Sequence, residues 1–255
     1  MKTLMSSAAL AILLCGPQAA RAEEVTLVAP GGMRCPIDVM KPDFEKKTGH
    51  VLKATIGAGG ATHRQVVQGA PFDVDIVQPP LDDVIASGNV ILSTQTPLAT
   101  VGIVVVVKKG AHKPDISSAD AVKKMLLAAK AISYPDGNNG LGGAAGVSFD
   151  DTQRKLGIFE EMKPKVKRVQ GVSLLQLLTR GDIDYAITFA SEVNDPGVEV
   201  VGQLPRDIST PTALVGFISS NAKAPLGSKA LLGYLSSPAG AAAYRQCSMT
   251  PGSAR

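Results

Sequence analysis

From Glu24 onward, short apolar runs of strand length alternate with stretches of helical spacing. "VTLVA" (25–29) ends at "PGGMRCP". Residues 37–48 then place Ile37, Met40 and Phe44 on one helical face, with Pro42 inside and Gly49 as the stop. "HVLKATI" (50–56) reads as a strand, "RQVVQG" as a short helix, "FDVDIV" (72–77) as a third strand and "LDDVIASG" (81–88) as another short helix. The rhythm predicts α/β architecture, with a mostly parallel sheet and helices on both faces. At 255 residues and 45% hydrophobic, the chain can bury a core of that kind as one large domain or two smaller ones.

The second half repeats the theme with different loops. "VGIVVVV" (101–107) has the length of a strand rather than a membrane span. "AISY" (131–134) runs into the turn "PDGNNGLGGAAG", and the next helix has Ser148 and Asp151 in capping-box relation. "SLLQLLTRG" (173–181) reads as a helix with Ser173 as N-cap and Gly181 as stop, and "DYAITFA" (184–190) as the following strand.

Three strand-to-helix junctions therefore carry glycine-rich turns: 30–35, 57–62 and 137–146. Ligands of open α/β sheets bind outside the carboxyl ends of strands, where such turns lie. Bare backbone N–H groups at helix starts suit an anion. The candidate contacts are Gly31 and Gly32 in the first turn, Gly59 and Gly60 in the second, and Asn139, Gly143 and Ala144 in the third. The competing reading is that these are ordinary turn glycines at positive φ. Arg34 follows the first pair, and His63 with Arg64 follows the second. Arg64 has a bland alternative, a plain surface position or an ion pair with Asp73 or Asp75.

The first 22 residues have the form of a cleaved export signal: Lys2, a short apolar run, then Ala20-Arg21-Ala22, with the cut expected after Ala22. Cys15 follows Leu14 rather than a small residue, so a soluble export product is preferred to a lipid-tethered one. The formal charge of +4 includes Lys2 and Arg21, and no acid lies in that leader. The mature chain is close to neutral and lacks the basic footprint of a nucleic-acid binder. Cys35 and Cys247 remain after cleavage, as a disulfide, a buried thiol or a site thiol. His50, His63 and His112 have no metal-type spacing, so no metal is expected. "GLGGAAG" (140–146) is a poor dinucleotide fingerprint, because "PDGNN" intervenes where a tight turn is needed, and no cofactor is expected. A G-x-S-x-G nucleophile turn is absent.

In order and spacing, several segments together resemble the periplasmic solute-binding proteins of molybdate-type ABC transporters. They are "VTLVA", "FEKKTGH", "RQVVQGAPFDVDIV", "VGIVVVVKKGA", "KLGIFEEMKPKV", "LLTRGDIDYAI" and "ALLGYLSSPAGAAAYR". The resemblance implies the type II periplasmic binding fold, two α/β lobes closing on a small anion. Lobe 1 would comprise 23–104 plus 213–255, and lobe 2 residues 105–212. It also implies a periplasmic location, an ABC permease as partner, and a monomer.

The family's binding positions are altered here. Gly31 and Gly32 stand where a serine hydroxyl is expected, Ala58-Gly59-Gly60 where a second is expected, and Phe189 where a tyrosine usually lies. With Arg34, His63 and Arg64 near those loops, the expected ligand is a carboxylate rather than molybdate, since arginine forks match planar carboxylates. The related group also includes an aconitate isomerase, so an enzyme on the same fold is the alternative. Arg34 and Arg64 would then clamp carboxylates, and His63, Cys35 or Glu192 would carry the proton.

Overall fold

The computed structural model describes residues 22–137, 142–168 and 173–252. The chain opens with β1 (Glu24–Pro30), a 3-10 turn at Gly31–Met33 and α1 (Arg34–Thr48). Pro42 is accommodated inside α1, and Gly49 ends the helix at φ +74°, its N–H bonded to the Glu45 carbonyl. Next come β2 (Val51–Gly57), α2 (Gly59–Val67), β3 (Val74–Val77), α3 (Asp82–Ala86) and β4 (Thr96–Val101). A single residue, Gly102, separates β4 from β5 (Ile103–Lys108). "VGIVVVV" is therefore not one strand: its first residue closes one sheet and its last five sit in another.

The second sheet continues through α4 (Ala119–Ala128), β6 (Ile132–Ser133), α5 (Ala144–Lys155), α6 (Phe159–Met162), α7 (Leu174–Arg180), β7 (Tyr185–Phe189) and β8 (Val198–Gln203). The chain then returns to the first sheet with β9 (Thr212–Ile218), α8 (Pro225–Leu235), α9 (Pro238–Gln246) and β10 (Thr250–Pro251). The orders are β10-β4-β9-β3-β1-β2 and β6-β7-β5-β8. The expectation of mostly parallel sheets is corrected. Only β1–β2, β1–β3 and β6–β7 are parallel among the described strands, while β9 runs antiparallel to both β3 and β4, and β5 to both β7 and β8. Crossing strands that return without an intervening helix enter in the reverse direction, which the local βα rhythm cannot announce.

Both faces of the first sheet are covered. Ile37, Met40 and Phe44 of α1 pack against Val25, Leu27 and Leu52 in one buried cluster, while Val66 of α2 and Val84 of α3 cover Val28, Val77, Val215 and Phe217 on the other face. Two acids in β3 and its approach behave oppositely. Asp73 accepts hydrogen bonds from the Thr26 N–H and hydroxyl (2.8 and 2.6 Å) and from the Lys223 and Ala224 N–H groups (2.7 and 3.0 Å). Asp75 is fully buried between Val28 and Phe217, its register partners, and neither of its oxygens has a partner among the described residues. Neither acid pairs with Arg64, which leaves its exposed surface position as the bland reading.

A disulfide joins Cys35, near the start of α1, to Cys247, just after α9, with Cα atoms 5.9 Å apart. Two local expectations fare differently. Ser173 and Gln176 form a reciprocal capping box and Gly181 ends α7 at φ +82°. Ser148, by contrast, lies inside α5, which begins four residues earlier after Gly143. Its hydroxyl meets the Thr212 hydroxyl at 3.2 Å instead of capping a helix.

Candidate functional site

The glycine-rich turns after β1 and β2 and the end of β7 come from different sheets, yet they meet along one seam. A Cβ placed on Gly31 would lie 3.2 Å from the Glu192 Oε1, and one on Gly32 would lie 3.3 Å from the Phe189 ring and 3.5 Å from the Ser191 Oγ. One on Gly59 would lie 2.7 Å from the Gln78 Oε1 and 3.1 Å from the Ala144 Cβ. None of Gly31, Gly32, Gly59, Gly60 and Gly143 has positive φ. The turn-conformation reading thus fails for them. At Gly31, Gly32 and Gly59 a side chain would meet atoms carried by the other sheet, whereas at Gly143 it would meet Pro135 of its own half.

Part of that approach is hydrogen-bonded. The Gly60 N–H donates to the Gly142 carbonyl (3.1 Å), linking the start of α2 to the loop before α5. Gly143 caps α5 and packs under Pro135, and its own N–H bonds the Asp136 carbonyl (2.8 Å). Ala144 is the first residue of α5 and faces Gly59. Asn139 lies outside the described residues.

Beside the seam lies a cavity of about 830 Å³. Gly59, Gly60, His63, Arg64 and Gln78 line it from the first sheet's side, and Ala144, Val147, Ser148 and Asp151 line it from α5. The connection into β9, Thr210 to Ala213, closes it. His63 does not point at it unaccompanied. Its Nε2 sits 2.9 Å from both carboxylate oxygens of Asp83, which fixes the ring. Burial pushes the Asp83 carboxyl up, but the hydrogen bond and charge of His63 outweigh it and bring the carboxyl below the usual range. Arg64 is exposed at the cavity wall, and Arg34 is exposed at the first position of α1.

Of the three candidate proton carriers, Cys35 is corrected: its sulfur is held in the disulfide and is not a titrating thiol. Glu192 follows β7 in a short 3-10 turn, at the seam against Gly31. Burial raises its carboxyl above the ordinary value, opposed by the Thr188 hydroxyl and the Phe189 backbone, both of which bond it. Phe189 is 1% exposed, its ring against Gly32.

Two polar groups at this seam were invisible in the sequence reading. The Gln78 Nε2 and the Ser191 Oγ are both buried without a hydrogen-bond partner among the described residues. "VQPP" and "FASEV" carry no motif, and only their placement at strand ends would have singled them out.

Residues 25–247 match the family described as bacterial extracellular solute-binding protein. The chain belongs to that family. Among the relatives of this solute-binding protein is an aconitate isomerase of Pseudomonas sp, 28% identical over 236 residues, covering 89% of this chain and 87% of the relative. Another is the molybdate-binding protein ModA of Azotobacter vinelandii, 26% identical over 238 residues, covering 89% and 88%. In three dimensions, the solute-binding protein matches the Azotobacter vinelandii periplasmic molybdate-binding protein with a TM-score of 0.71 at 15% identity, over 90% of this chain and 100% of that one. The fold is the type II periplasmic binding fold, with two α/β halves.

Proposed function

We propose that this chain is a periplasmic receptor that closes two lobes, 23–104 plus 213–255 and 105–212, around a small organic carboxylate and delivers it to an ABC-type permease. The observation that carries the reading is the seam itself. The glycine turn before α1 meets the end of β7, and the start of α2 meets the start of α5, in each case at residues stripped of side chains, and no loop hydroxyl of the molybdate pattern stands there. Backbone N–H groups at helix starts supply positive potential for an anion. The adjoining cavity, at about 830 Å³, is of the size that takes carbon-based ligands rather than a bare tetrahedral ion. Arg64 and His63 in its wall favour carboxylates. The disulfide fits an oxidising, extracytoplasmic compartment, and family membership supports the transport role.

Isothermal calorimetry of the purified mature chain with citrate, aconitate and molybdate tests this reading. Binding of a polycarboxylate with no response to molybdate is the expected result; tight molybdate binding alone would overturn it.

A second reading, isomerisation of a polycarboxylate by a proton shift, is favoured by one specific feature. Glu192 is a half-buried carboxyl that desolvation holds above its ordinary value, next to the bare backbone of Gly31. The isomerase relative has the same overall length of match. Incubation with cis- or trans-aconitate, followed by ultraviolet absorbance, separates the readings: turnover establishes the enzyme, and thermal stabilisation without turnover favours the receptor.

A further inference from the structure

The two orphaned polar groups of the seam sit in a pattern. Ser191 is 8% exposed, its hydroxyl has no partner among the described residues, and it lies 3.5 Å from where a Gly32 side chain would begin. The Gln78 amide nitrogen is likewise buried without a partner among the described residues, and the oxygen of the same amide lies 2.7 Å from the corresponding position on Gly59. The Ser191 hydroxyl and the Gln78 amide therefore each stand beside one of the glycine turns that lack the family's serine. Gln78 follows β3 in the first sheet, and Ser191 follows β7 in the second.

Both groups are uncharged donors. A hydroxyl can give one hydrogen and a primary amide two. Leaving such a donor buried and unpaired is costly, so a core that merely packed is better served by apolar residues at these places. Gln78 also borders the cavity, whereas Ser191 lies on the inner part of the seam. A ligand meeting both must place one oxygen group at Ser191 and Gly32 and another at Gln78 and Gly59. Its carbon skeleton then emerges towards Val67, Pro79, Val147 and Pro211.

We infer that Gln78 and Ser191 are the side-chain donors that read the ligand, taking over from the missing loop hydroxyls, and that the ligand is a polycarboxylate whose carboxylates are separated by a carbon chain. This rests on the carboxylate reading above and goes beyond it in naming the donors and the spacing of the groups they take.

The test uses the mature chain and the variants Ser191→Ala and Gln78→Leu, titrated by calorimetry with succinate, tricarballylate and molybdate. Each ligand-free variant is also melted. The expected result is binding of succinate or tricarballylate by the parent, weakened about ten-fold or more in each variant. The ligand-free melting temperature should be unchanged or higher, since removing an unpaired buried donor costs nothing in the empty protein. A purely structural role would move the melting temperature downward instead. Variants that bind polycarboxylates as the parent does overturn the inference while leaving the carboxylate reading intact. A parent that binds molybdate alone removes the carboxylate reading, and the same variants titrated with molybdate then judge the donors: ten-fold weakening keeps them, parental affinity rejects them. A parent that binds none of the three probes overturns both.

Discussion

Gly59 and Ala144 touch across the two halves of the molecule: a methyl group on Gly59 would stand 3.1 Å from the Ala144 Cβ. The same methyl would press on the Gln78 side chain at 2.7 Å. Gln78 is a flexible side chain and can move, but Ala144 is fixed to the first turn of α5. Any branched residue at position 59 therefore holds α2 and α5 apart and breaks the Gly60–Gly142 hydrogen bond. Gly59→Val should weaken ligand capture by about ten-fold or more, equivalent to about 1.4 kcal/mol, while each lobe keeps its fold. Calorimetry reads the affinity, and small-angle scattering should show the ligand-bound variant as extended as the free one. Parental affinity in Gly59→Val would mean that this contact does not form during closure.

Asp75 provides a prediction about pH. Burial pushes its carboxyl up to about 8 from an ordinary 3.8, with no hydrogen bond to offset the desolvation. The folded state therefore holds a proton that the unfolded chain gives up near pH 4. Stability from this group is fully present below about pH 4 and is lost as pH rises towards 8, by about 1.4 kcal/mol per pH unit at most. Asp75→Val, which matches the neighbouring Val28 and Phe217 in character, should remove that slope and raise the melting temperature most at pH 8. Denaturant titrations of both proteins at pH 5 and pH 8 check it. Parallel pH dependence in the two proteins would show that Asp75 finds a partner in solution.

How far these features could be read in advance depends on how local their causes are. Gly49, Gly181 and the Ser173 N-cap were legible because a helix end is settled by residues within one turn of it. Ser148 had the same spacing signal but lies four residues inside a helix whose true start is the glycine turn before it. In "FDVDIV" the alternation suggests acids on a wet face, yet α2 and α3 cover that face, so Asp75 is buried and Asp73 is tied to four donors from distant chain. The glycine turns of the site were visible, but their reason was not, since it is the approach of atoms carried by the other sheet, about 85 to 160 residues away. Gln78 and Ser191 escaped notice because the lack of a partner is a property of the assembled seam.

The disulfide closes nearly the whole chain, tying residues 212 apart in sequence. It fastens α9 against α1, the helix that follows the first glycine turn, so it restrains the end of the chain next to the seam. A loop of that length implies a stabilisation of about 2–5 kcal/mol. Replacing both cysteines by serine should lower the chemical-denaturation free energy by an amount in that range and make the protein insensitive to added reductant. Superimposable unfolding curves for the parent, with and without reductant, would show that the bond contributes nothing.

Glu192 is the residue on which receptor and isomerase differ most. In a receptor, a carboxyl against Gly31 matters as a charge near an anion. Neutralising it as Glu192→Gln removes repulsion and should leave polycarboxylate affinity equal or tighter, with a flatter dependence on pH. In an isomerase the same substitution removes the group that takes and returns a proton, and turnover should fall by about a hundred-fold or more while binding persists. The pH effect has opposite signs in the two cases. Because burial raises this carboxyl, it stays protonated to higher pH than a free glutamate, and its loss of a proton sets the upper edge of anion affinity in the receptor and the lower edge of base-dependent turnover in the enzyme. Affinity and turnover measured across pH 4 to 9 on parent and Glu192→Gln therefore separate the two roles. A variant that matches the parent in both measurements at every pH would place Glu192 among the residues that only shape the seam, leaving Thr188 and Phe189 as its sole partners of consequence.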